Sequence, residues 1–217
     1  TAATVKTENY NGSSWTEVGD LNQGRSDASW PGDGTTTAGI VVGGFLLPPP
    51  GSGGETLGKT ETWNGSAWTE VSDLNTSRER LAGAGTSTAG IAIDGAQTPS
   101  PNTPDGIKRT EIWDGSSWTE VGDTNTAHYY GAAFGTNTAA LVAASAPSTA
   151  PAVNVVESWN GTSWTEVAEL NTSRLLYGAG AGGPGNTSGL VFSGTPTSTA
   201  TEEWTVPESI SNLTITD

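Results

Sequence analysis

The chain has 217 residues with no cysteine, no methionine and a single histidine, and its formal net charge is −15 with an isoelectric point near 4.2. The lack of cysteine excludes disulfides and thiolate chemistry, and the acidic balance argues against binding to a nucleic-acid backbone. No apolar run approaches the roughly 18 residues that span a bilayer, so we expect no membrane insertion. Abundant glycine, serine and threonine predict an all-β fold of short strands and tight turns.

One stretch of sequence occurs four times, at residues 7–25, 60–78, 110–128 and 156–174. The second copy reads TETWNGSAWTEVSDLNTSR. The Trp that begins each WTEV segment recurs at intervals of 53, 50 and 46 residues, at Trp15, Trp68, Trp118 and Trp164. A period of this length is typical of an array of one supersecondary unit and fits a four-stranded propeller blade.

Each unit divides into four strand-like pieces. In one unit, the small-residue segment Leu81–Gly85 suits an innermost strand, and the apolar run Ala89–Ile93 suits a strand buried on both faces. A third strand ends at Trp113, and a fourth begins at Trp118. We expect the apolar runs to form the core of the units. The other three runs are Ala38–Gly43, Ala139–Ala143 and Ser188–Phe192.

Asn-Gly or Asp-Gly separates the third strand from the fourth, which predicts a type I′ hairpin turn with positive φ at both central residues. Aromatic residues flank each turn. We interpret them as structural residues that pack between blades, because a ligand contact need not recur in every unit; stacking on a sugar is the alternative. The turns are Asn11-Gly12, Asn64-Gly65, Asp114-Gly115 and Asn160-Gly161, and the aromatic residues are Tyr10, Trp15, Trp63, Trp68, Trp113, Trp118, Trp159, Trp164 and Trp204.

The loop from each fourth strand to the next first strand carries an Asn and, three residues later, an Arg or His. In a propeller these loops share a face with the loops between second and third strands, which differ most between units, so we predict binding there. The cations could attract an anionic ligand, or each could bond loop carbonyls or an acid of its own blade. The candidates are Asn22, Arg25, Asn75, Arg78, Asn125, His128, Asn171 and Arg174, and the unlike loops are 45–55, 96–106, 145–152 and 195–199.

Catalytic chemistry finds little support. His128 is the only histidine, and we interpret it as a substitute for Arg in its repeat. The repeated Glu of WTEV lies on a strand in every copy, whereas catalytic carboxylates are normally singular. We therefore predict a protein that is not an enzyme, with no catalytic residue, no metal and no cofactor. The insert Ser26–Gly34 is the one place where chemistry specific to a single unit could lie.

The chain resembles the kelch repeat of β-propellers. The likeness lies in the apolar strand that ends Val41-Val42-Gly43-Gly44, the aromatic residue and turn Trp63-Asn64-Gly65, the next Trp at Trp68, and Arg78 before the following inner strand. The double glycine becomes Asp94-Gly95, Ala143-Ala144 and Ser193-Gly194 in the other units. The amino-acid sequence of the repeats, from about Thr4 to Val206, is similar to kelch-like repeats in large structural proteins of marine tailed bacteriophages.

We therefore expect residues 1–206 to form a small β-propeller of four-stranded blades. The units are about 19–71, 72–121, 122–167 and 168–206, preceded by a hairpin at 4–18, whose outer strand would close the ring. Four blades are expected, and five are the alternative, because five segments have the features of a third strand. Residues 207–217 are expected to form a C-terminal strand or linker.

The resemblance implies a non-catalytic structural or adhesion module of a phage virion, present in multiple copies and located on the virion or outside the cell. Its expected partners are other virion proteins or a host-surface glycan or protein, bound through the loop face. The alternative is a lectin-type propeller that binds glycans. Multivalent display would turn modest affinity at each copy into stable attachment.

Overall fold

The computed structural model describes residues 5–30, 34–46, 54–97, 106–145, 153–175, 180–183, 185–195 and 199–206. Every regular element in these ranges is a β-strand, which confirms the all-β prediction. None of the described residues belongs to a helix that could cross a membrane. The predicted C-terminal strand at 207–217 and most of the unlike loops lie outside the described residues.

An N-terminal hairpin and a first sheet occupy the first third of the chain. The hairpin pairs β1 (Glu8–Tyr10) with β2 (Trp15–Glu17), and the first sheet contains β3 (Gly39–Val42), β6 (Thr60–Trp63) and β7 (Trp68–Glu70). A short ribbon of β4 (Phe45–Leu46) and β5 (Glu55–Thr56) lies between β3 and β6 in the sequence. Among the described residues, Ser29 forms an isolated bridge with Val42 of β3, and Ser26 forms another with Phe45 of β4.

Two sheets have four antiparallel strands each, in order from first to fourth. The second sheet contains β8 (Ala82–Thr86), β9 (Ala89–Ile93), β10 (Thr110–Trp113) and β11 (Trp118–Glu120). The third sheet contains β12 (Ala132–Thr136), β13 (Ala139–Ser145), β14 (Val153–Trp159) and β15 (Trp164–Glu166). This order is the one that the sequence predicts for a unit.

The fourth sheet is incomplete on its outer side. It contains β16 (Gly180–Gly182), β17 (Ser188–Phe192) and β18 (Thr201–Thr205), and among the described residues β18 pairs only with β17. The expected closure through the N-terminal outer strand is therefore not made, because β2 pairs with β1 in a separate hairpin. The five segments that resemble third strands lie in five different sheets, and these sheets are open.

The hairpin turns differ from the predicted type I′ geometry. Each turn has four residues, and only its glycine has positive φ, as at Gly65 with φ of 95°. The preceding Asn64 instead accepts bonds at Oδ1 from the backbone N–H of Ser66 and Ala67, both at 3.0 Å. A side chain thus replaces the backbone bond that a tighter turn would supply. Asn11, Asp114 and Asn160 make the same contacts.

The second strands end in a residue of left-handed conformation, and that residue is glycine only in the first sheet. Gly43, Asp94, Ala144 and Ser193 have φ between 53° and 65° there. Ala144 is thus the counterpart of the first glycine, which corrects the alignment to Ala143-Ala144. This φ range is the part of the left-handed region that residues other than glycine can adopt, at some cost in strain.

The second strands of the first and second sheets pack against the aromatic pair of the following sheet. Ile91 and Ile93 of β9 contact Trp159 and Trp164 of the third sheet, and Ile40 and Val42 of β3 contact Trp113 and Trp118 of the second in the same way. The opposite face of β9 carries Ala92, which is also buried. Burial on both faces explains why these strands are continuously apolar. The inner strands β8, β12 and β16 contact one another in chain order.

The indole N–H groups tie neighbouring sheets together. Trp118 donates to Thr60 Oγ1 of the first sheet at 3.0 Å, and Trp164 donates to Thr110 Oγ1 of the second at 2.9 Å. Trp68 makes the equivalent bond to Thr7, beside the N-terminal hairpin, at 2.9 Å. The predicted packing role of these tryptophans agrees with this arrangement.

We expect Thr60→Val to destabilise the protein by about 1–3 kcal/mol, because it leaves the buried indole N–H of Trp118 without an acceptor. Urea unfolding followed by circular dichroism measures the change. Thr62→Val, two residues along the same strand, is the control, since Thr62 does not bond an indole. Equal effects of the two substitutions would contradict the assigned bond.

Candidate functional site

The loop between the first and second sheets folds onto a glutamate of the second sheet. The backbone N–H and Nδ2 of Asn75 each donate to Glu111 Oε2 at 2.8 Å, and Arg78 Nη1 donates to Glu111 Oε1 at 2.7 Å. Asn75 Nδ2 also bonds the carbonyl oxygen of Trp118 at 2.9 Å. Glu111 lies on β10 and Trp118 on β11, so the loop binds the outer half of the sheet that follows it. We call this set of bonds the clasp.

The clasp occurs in all four repeats with the same chemistry. In each, the Asn donates twice to one carboxylate oxygen and the cation faces the other oxygen. The remaining clasps join Asn22 and Arg25 to Glu61, Asn125 and His128 to Glu157, and Asn171 and Arg174 to Glu202.

Both charges of the clasp are removed from water. The side chains of Arg78 and Glu111 have no solvent exposure, and Arg78 Nη2 also donates to the carbonyl oxygen of Ala92 at 3.3 Å. Burial lowers the pKa of Arg78, and the Glu111 carboxylate opposes that fall. A buried ion pair gains little over an apolar substitute, but the loss of one partner leaves an uncompensated charge. The clasp therefore penalises any arrangement in which the loop leaves the glutamate.

His128 takes the place of Arg in the third clasp. Its Nδ1 lies 3.1 Å from the carbonyl oxygen of Ala144, and its Nε2 lies 3.2 Å from Glu157 Oε1. Both neighbours can accept hydrogen bonds, and this arrangement favours the ring with protons on both nitrogens, which is cationic. Burial opposes this charge, but the bond to Glu157 and the negative charge of Asp94 outweigh it, and the pKa of His128 is raised.

Asp94 adds a second buried carboxyl to the third clasp. It accepts bonds from Thr124 Oγ1 at 2.8 and 2.9 Å and from the backbone N–H of His128 at 2.8 Å. Burial raises the pKa of Asp94 to about 7, although the bonds and the His128 charge act in the opposite direction. The corresponding residues Gly43, Ala144 and Ser193 cannot ionise, so this titration belongs to one repeat.

Sequence reasoning missed the acid of each clasp. Besides the Glu of WTEV, each repeat has a second glutamate two positions before its third-strand aromatic residue. The available signal was this fixed offset in all copies of TExW and its variants. The clasp acids are Glu61, Glu111, Glu157 and Glu202, and Glu8 has the same position in the N-terminal hairpin. Glu8 is exposed, and no loop among the described residues holds it in a clasp.

The structure brings each predicted Asn together with its Arg or His, but it holds the four pairs in separate clasps. All four cations are buried, and they bond a glutamate of the sheet that follows them. Ligand binding by these eight residues therefore stays a prediction. In the structure, the Arg and His side chains bond backbone carbonyls and a glutamate, which corresponds to the alternative given for them in the sequence analysis.

The flanking aromatic residues form pairs across each hairpin, with ring planes tilted by 37–43°. Ring centroids are 5.1–5.4 Å apart in the pairs Tyr10–Trp15, Trp63–Trp68, Trp113–Trp118 and Trp159–Trp164. The six tryptophans of the last three pairs are buried, and Trp204 is partly buried. Tyr10 and Trp15 are exposed, so the first pair differs from the rest.

An aromatic cleft of about 410 Å³ lies between the N-terminal hairpin and the first sheet. Tyr10, Trp15 and Trp30 line its exposed part, and Trp63 and Trp68 lie deeper. Trp30 belongs to the insert of the first unit and meets Trp68 edge-on, with ring centroids 5.7 Å apart. Among the described residues, several aromatic rings are exposed side by side in this cleft.

A row of unlike side chains follows three of the clasp cations in the sequence. Asp27, Arg80 and Tyr130 each lie two residues after a clasp cation, and each has positive φ. The backbone N–H of Arg80 donates to the carbonyl oxygen of Asp27 at 2.8 Å, and that of Tyr130 donates to the carbonyl oxygen of Arg80 at 3.1 Å. The Arg80 guanidinium lies 5.1 Å from the ring centroids of Tyr129 and Tyr130. We call Asp27, Arg80 and Tyr130 the inner-turn row.

Within the described ranges, no group of three or more acidic, His or Cys side chains is arranged to hold a metal ion. No protein-family model matches the chain, and no curated protein matches it. The functional argument therefore rests on the geometry of the clasps, the inner-turn row and the aromatic cleft.

We expect Glu111→Gln to lower the free energy of unfolding by about 3–5 kcal/mol, because the buried Arg78 loses its counter-charge and one amide N–H meets another donor. Urea unfolding measures the loss. Glu120→Gln is the matched control, since Glu120 pairs with Glu111 across the hairpin but is exposed and faces the exposed Arg109. Similar losses in both variants would show that the clasp does not stabilise the fold.

We expect His128→Arg to remove most of the fall in stability above about pH 7. Because the pKa of His128 is raised on folding, its contribution is complete below its ordinary value of 6.5 and is lost as pH rises through the folded value. Asp94, whose pKa rises to about 7, adds a fall from its ordinary value of 3.8 upward, which the variant retains. Unfolding free energies of both proteins from about pH 5 to about pH 9 test this. Parallel curves above neutrality would contradict it.

Proposed function

We propose that the chain is a non-catalytic structural or adhesion module of a phage virion, which binds a partner protein or a host surface through its loop face. The observation that carries this proposal is the inner-turn row, where one backbone geometry presents Asp27, Arg80 and Tyr130 in turn. Unlike side chains on a repeated scaffold are the usual arrangement of a recognition surface. The phage assignment rests on the resemblance of the repeat sequences to kelch-like repeats in phage structural proteins.

The finer architecture belongs to the same proposal. We regard the sheets as kelch-like blades arranged about an axis, with the first strands innermost. The contacts of β8 with β12 and of β12 with β16 support this arrangement, as does the packing of β3, β9 and β13 on the sheet that follows each of them. A rigid array of this kind holds its loops in fixed relative positions, which favours multivalent attachment.

The role of His128 supports a non-catalytic function. Both of its ring nitrogens are engaged, and its partner Glu157 is buried and receives three further bonds from Asn125 and Thr126. A general base needs a nitrogen that can reach substrate. His128 therefore has a positioning role in the fold.

Glycan binding is the second candidate, and the exposed aromatic rings of the cleft favour it. The six buried tryptophans present no ring face on which a sugar could stack. The rings available for glycan binding are therefore Tyr10, Trp15 and Trp30. Simple methyl glycosides that quench tryptophan fluorescence in the parent, but not in Trp30→Ala, would favour glycan binding. If no sugar in a broad panel changes the tryptophan fluorescence of the parent protein, glycan binding is excluded.

We expect Arg80→Ala combined with Tyr130→Ala to weaken attachment to the partner or host surface by roughly tenfold or more, because both side chains lie on the loop face. Pull-down of labelled protein on intact host cells or particles from the native source measures this. Arg109→Ala is the control, since it removes the same charge from a partly exposed position just before β10. Unchanged attachment in the double variant would contradict loop-face binding. Native protein found free of particles would contradict the phage assignment.

A further inference from the structure

The Asn-Gly turns of the outer hairpins place a side-chain amide beside the backbone nitrogen of a glycine. Asn64 is exposed, and the following Gly65 has no side chain to crowd its own nitrogen. The backbone N–H of Gly65 makes no hydrogen bond with a described residue, whereas the N–H groups of Ser66 and Ala67 both bond Asn64 Oδ1. The same arrangement occurs at Asn11 and Asn160.

These groups can react with each other, and water is the only further reactant. The Gly65 nitrogen attacks Cγ of Asn64 and loses its proton, the bond from Cγ to Nδ2 breaks, and ammonia leaves. Water then opens the five-membered imide, which gives aspartate or isoaspartate, in which the backbone continues through the side chain. The net change converts one amide and one water into a carboxylate and ammonium. Asparagine is among the thermolabile residues of proteins.

Three donors polarise the amide that is attacked. Asn64 Oδ1 accepts bonds from the backbone N–H groups of Ser66 and Ala67 at 3.0 Å and from Ser66 Oγ at 2.9 Å. Negative charge develops on this oxygen as the nitrogen adds to Cγ, and donors already aimed at such an oxygen stabilise it. The Asn11 turn supplies the same three kinds of donor.

One of the four turns already contains the product of this reaction. Asp114 has in the second sheet the position that Asn64 has in the first. Its Oδ1 accepts bonds from Ser116 Oγ and from the backbone N–H groups of Ser116 and Ser117, all at 2.8 Å. The Ser116 hydroxyl and the two N–H groups lower the pKa of Asp114 to about 2. An ionised carboxylate therefore fits the turn, and its bonds to the same donors are charge-assisted.

The clasp asparagines provide a contrast within the same chain. Asn75 is also exposed, but its Nδ2 donates to Glu111 Oε2 at 2.8 Å. The nitrogen that would attack its side chain belongs to Thr76, and this N–H donates to Glu111 Oε1 at 3.3 Å. The third clasp holds Asn125 and the residue after it in the same way. In these clasps the leaving amide and the attacking nitrogen are therefore both bonded to a glutamate.

We propose that Asn11, Asn64 and Asn160 are sites of spontaneous deamidation in the folded protein, and that the turns retain the aspartate that forms. Each conversion adds one negative charge to the −15 of the chain. The charge is added at the hairpin turns, which lie at the opposite ends of the strands from the clasp loops. The surface charge of these turns thus increases with the age of the molecule. This inference does not depend on the proposed loop-face binding.

Timed incubation of the purified folded protein in warm, mildly alkaline buffer tests the proposal. We expect anion exchange to separate species with one, two and three added charges, and peptide mass spectrometry in heavy-oxygen water to locate the new carboxyl oxygen at the three turns. Conversion at Asn64 should be at least about tenfold faster than at Asn75 or Asn125, because the clasp holds their reacting groups in place. The same protein unfolded in urea measures the reactivity of the sequence without the fold.

Asn64→Asp is the matched variant, since it installs the product at one turn. It should melt at the temperature of the parent and gain at most two further charges on incubation. A folded parent that gains no acidic species would overturn the proposal, and acidic species in the urea sample alone would show that the fold protects the turns. Equal rates at Asn64 and Asn75 would also overturn it. A marked fall in the melting temperature of Asn64→Asp would contradict retention of the product.

Discussion

The buried carboxylate of the clasp is the constraint on which the rest of the structure depends. Glu111 receives two bonds from Asn75 and one from Arg78, and neither charge has access to water. The loop therefore has one low-energy position against the following sheet. Since the same loop leads into the first strand of that sheet, the clasp fixes where each sheet begins relative to its outer hairpin. Apolar packing of second strands on tryptophan pairs then determines the spacing of the sheets.

Within this chain, the residues that hold the sheets together are different from the residues that vary between repeats. The residues that recur between repeats form the clasps, the aromatic pairs and the Asn-Gly or Asp-Gly turns. The residues that differ between repeats lie directly after the clasp cation, where the backbone is held but the side chain is not specified. These side chains also contact one another, since Arg80 pairs with Asp27 and lies over the ring of Tyr130. Changes at these positions would leave the clasps intact but would alter those side-chain contacts between successive units.

Much of the fold could be predicted from the sequence, because apolar runs buried on both faces and paired tryptophans leave a strong periodic signal. The clasp acids were missed because a glutamate on a strand normally faces solvent, and its burial depends on a loop that lies about 30 to 40 residues earlier in the chain. The turn type was missed because Asn64 uses its side chain where a type I′ turn would use backbone conformation. The predicted closure through the N-terminal outer strand is not made, because β2 pairs with β1 in its own hairpin, and a repeat pattern does not define the angles between sheets.

The clasp also determines where the chain tolerates changes in repeat number. Each clasp encloses the segment from its asparagine to its glutamate, so a duplication or deletion that runs from one asparagine to the next carries a complete acid, cation and amide set. A junction inside that segment that joins positions which are not equivalent would leave a buried charge without its partner. Gene rearrangements in such arrays should therefore tolerate unequal junctions best between a clasp glutamate and the next asparagine, as between Glu111 and Asn125, a stretch that contains Trp118.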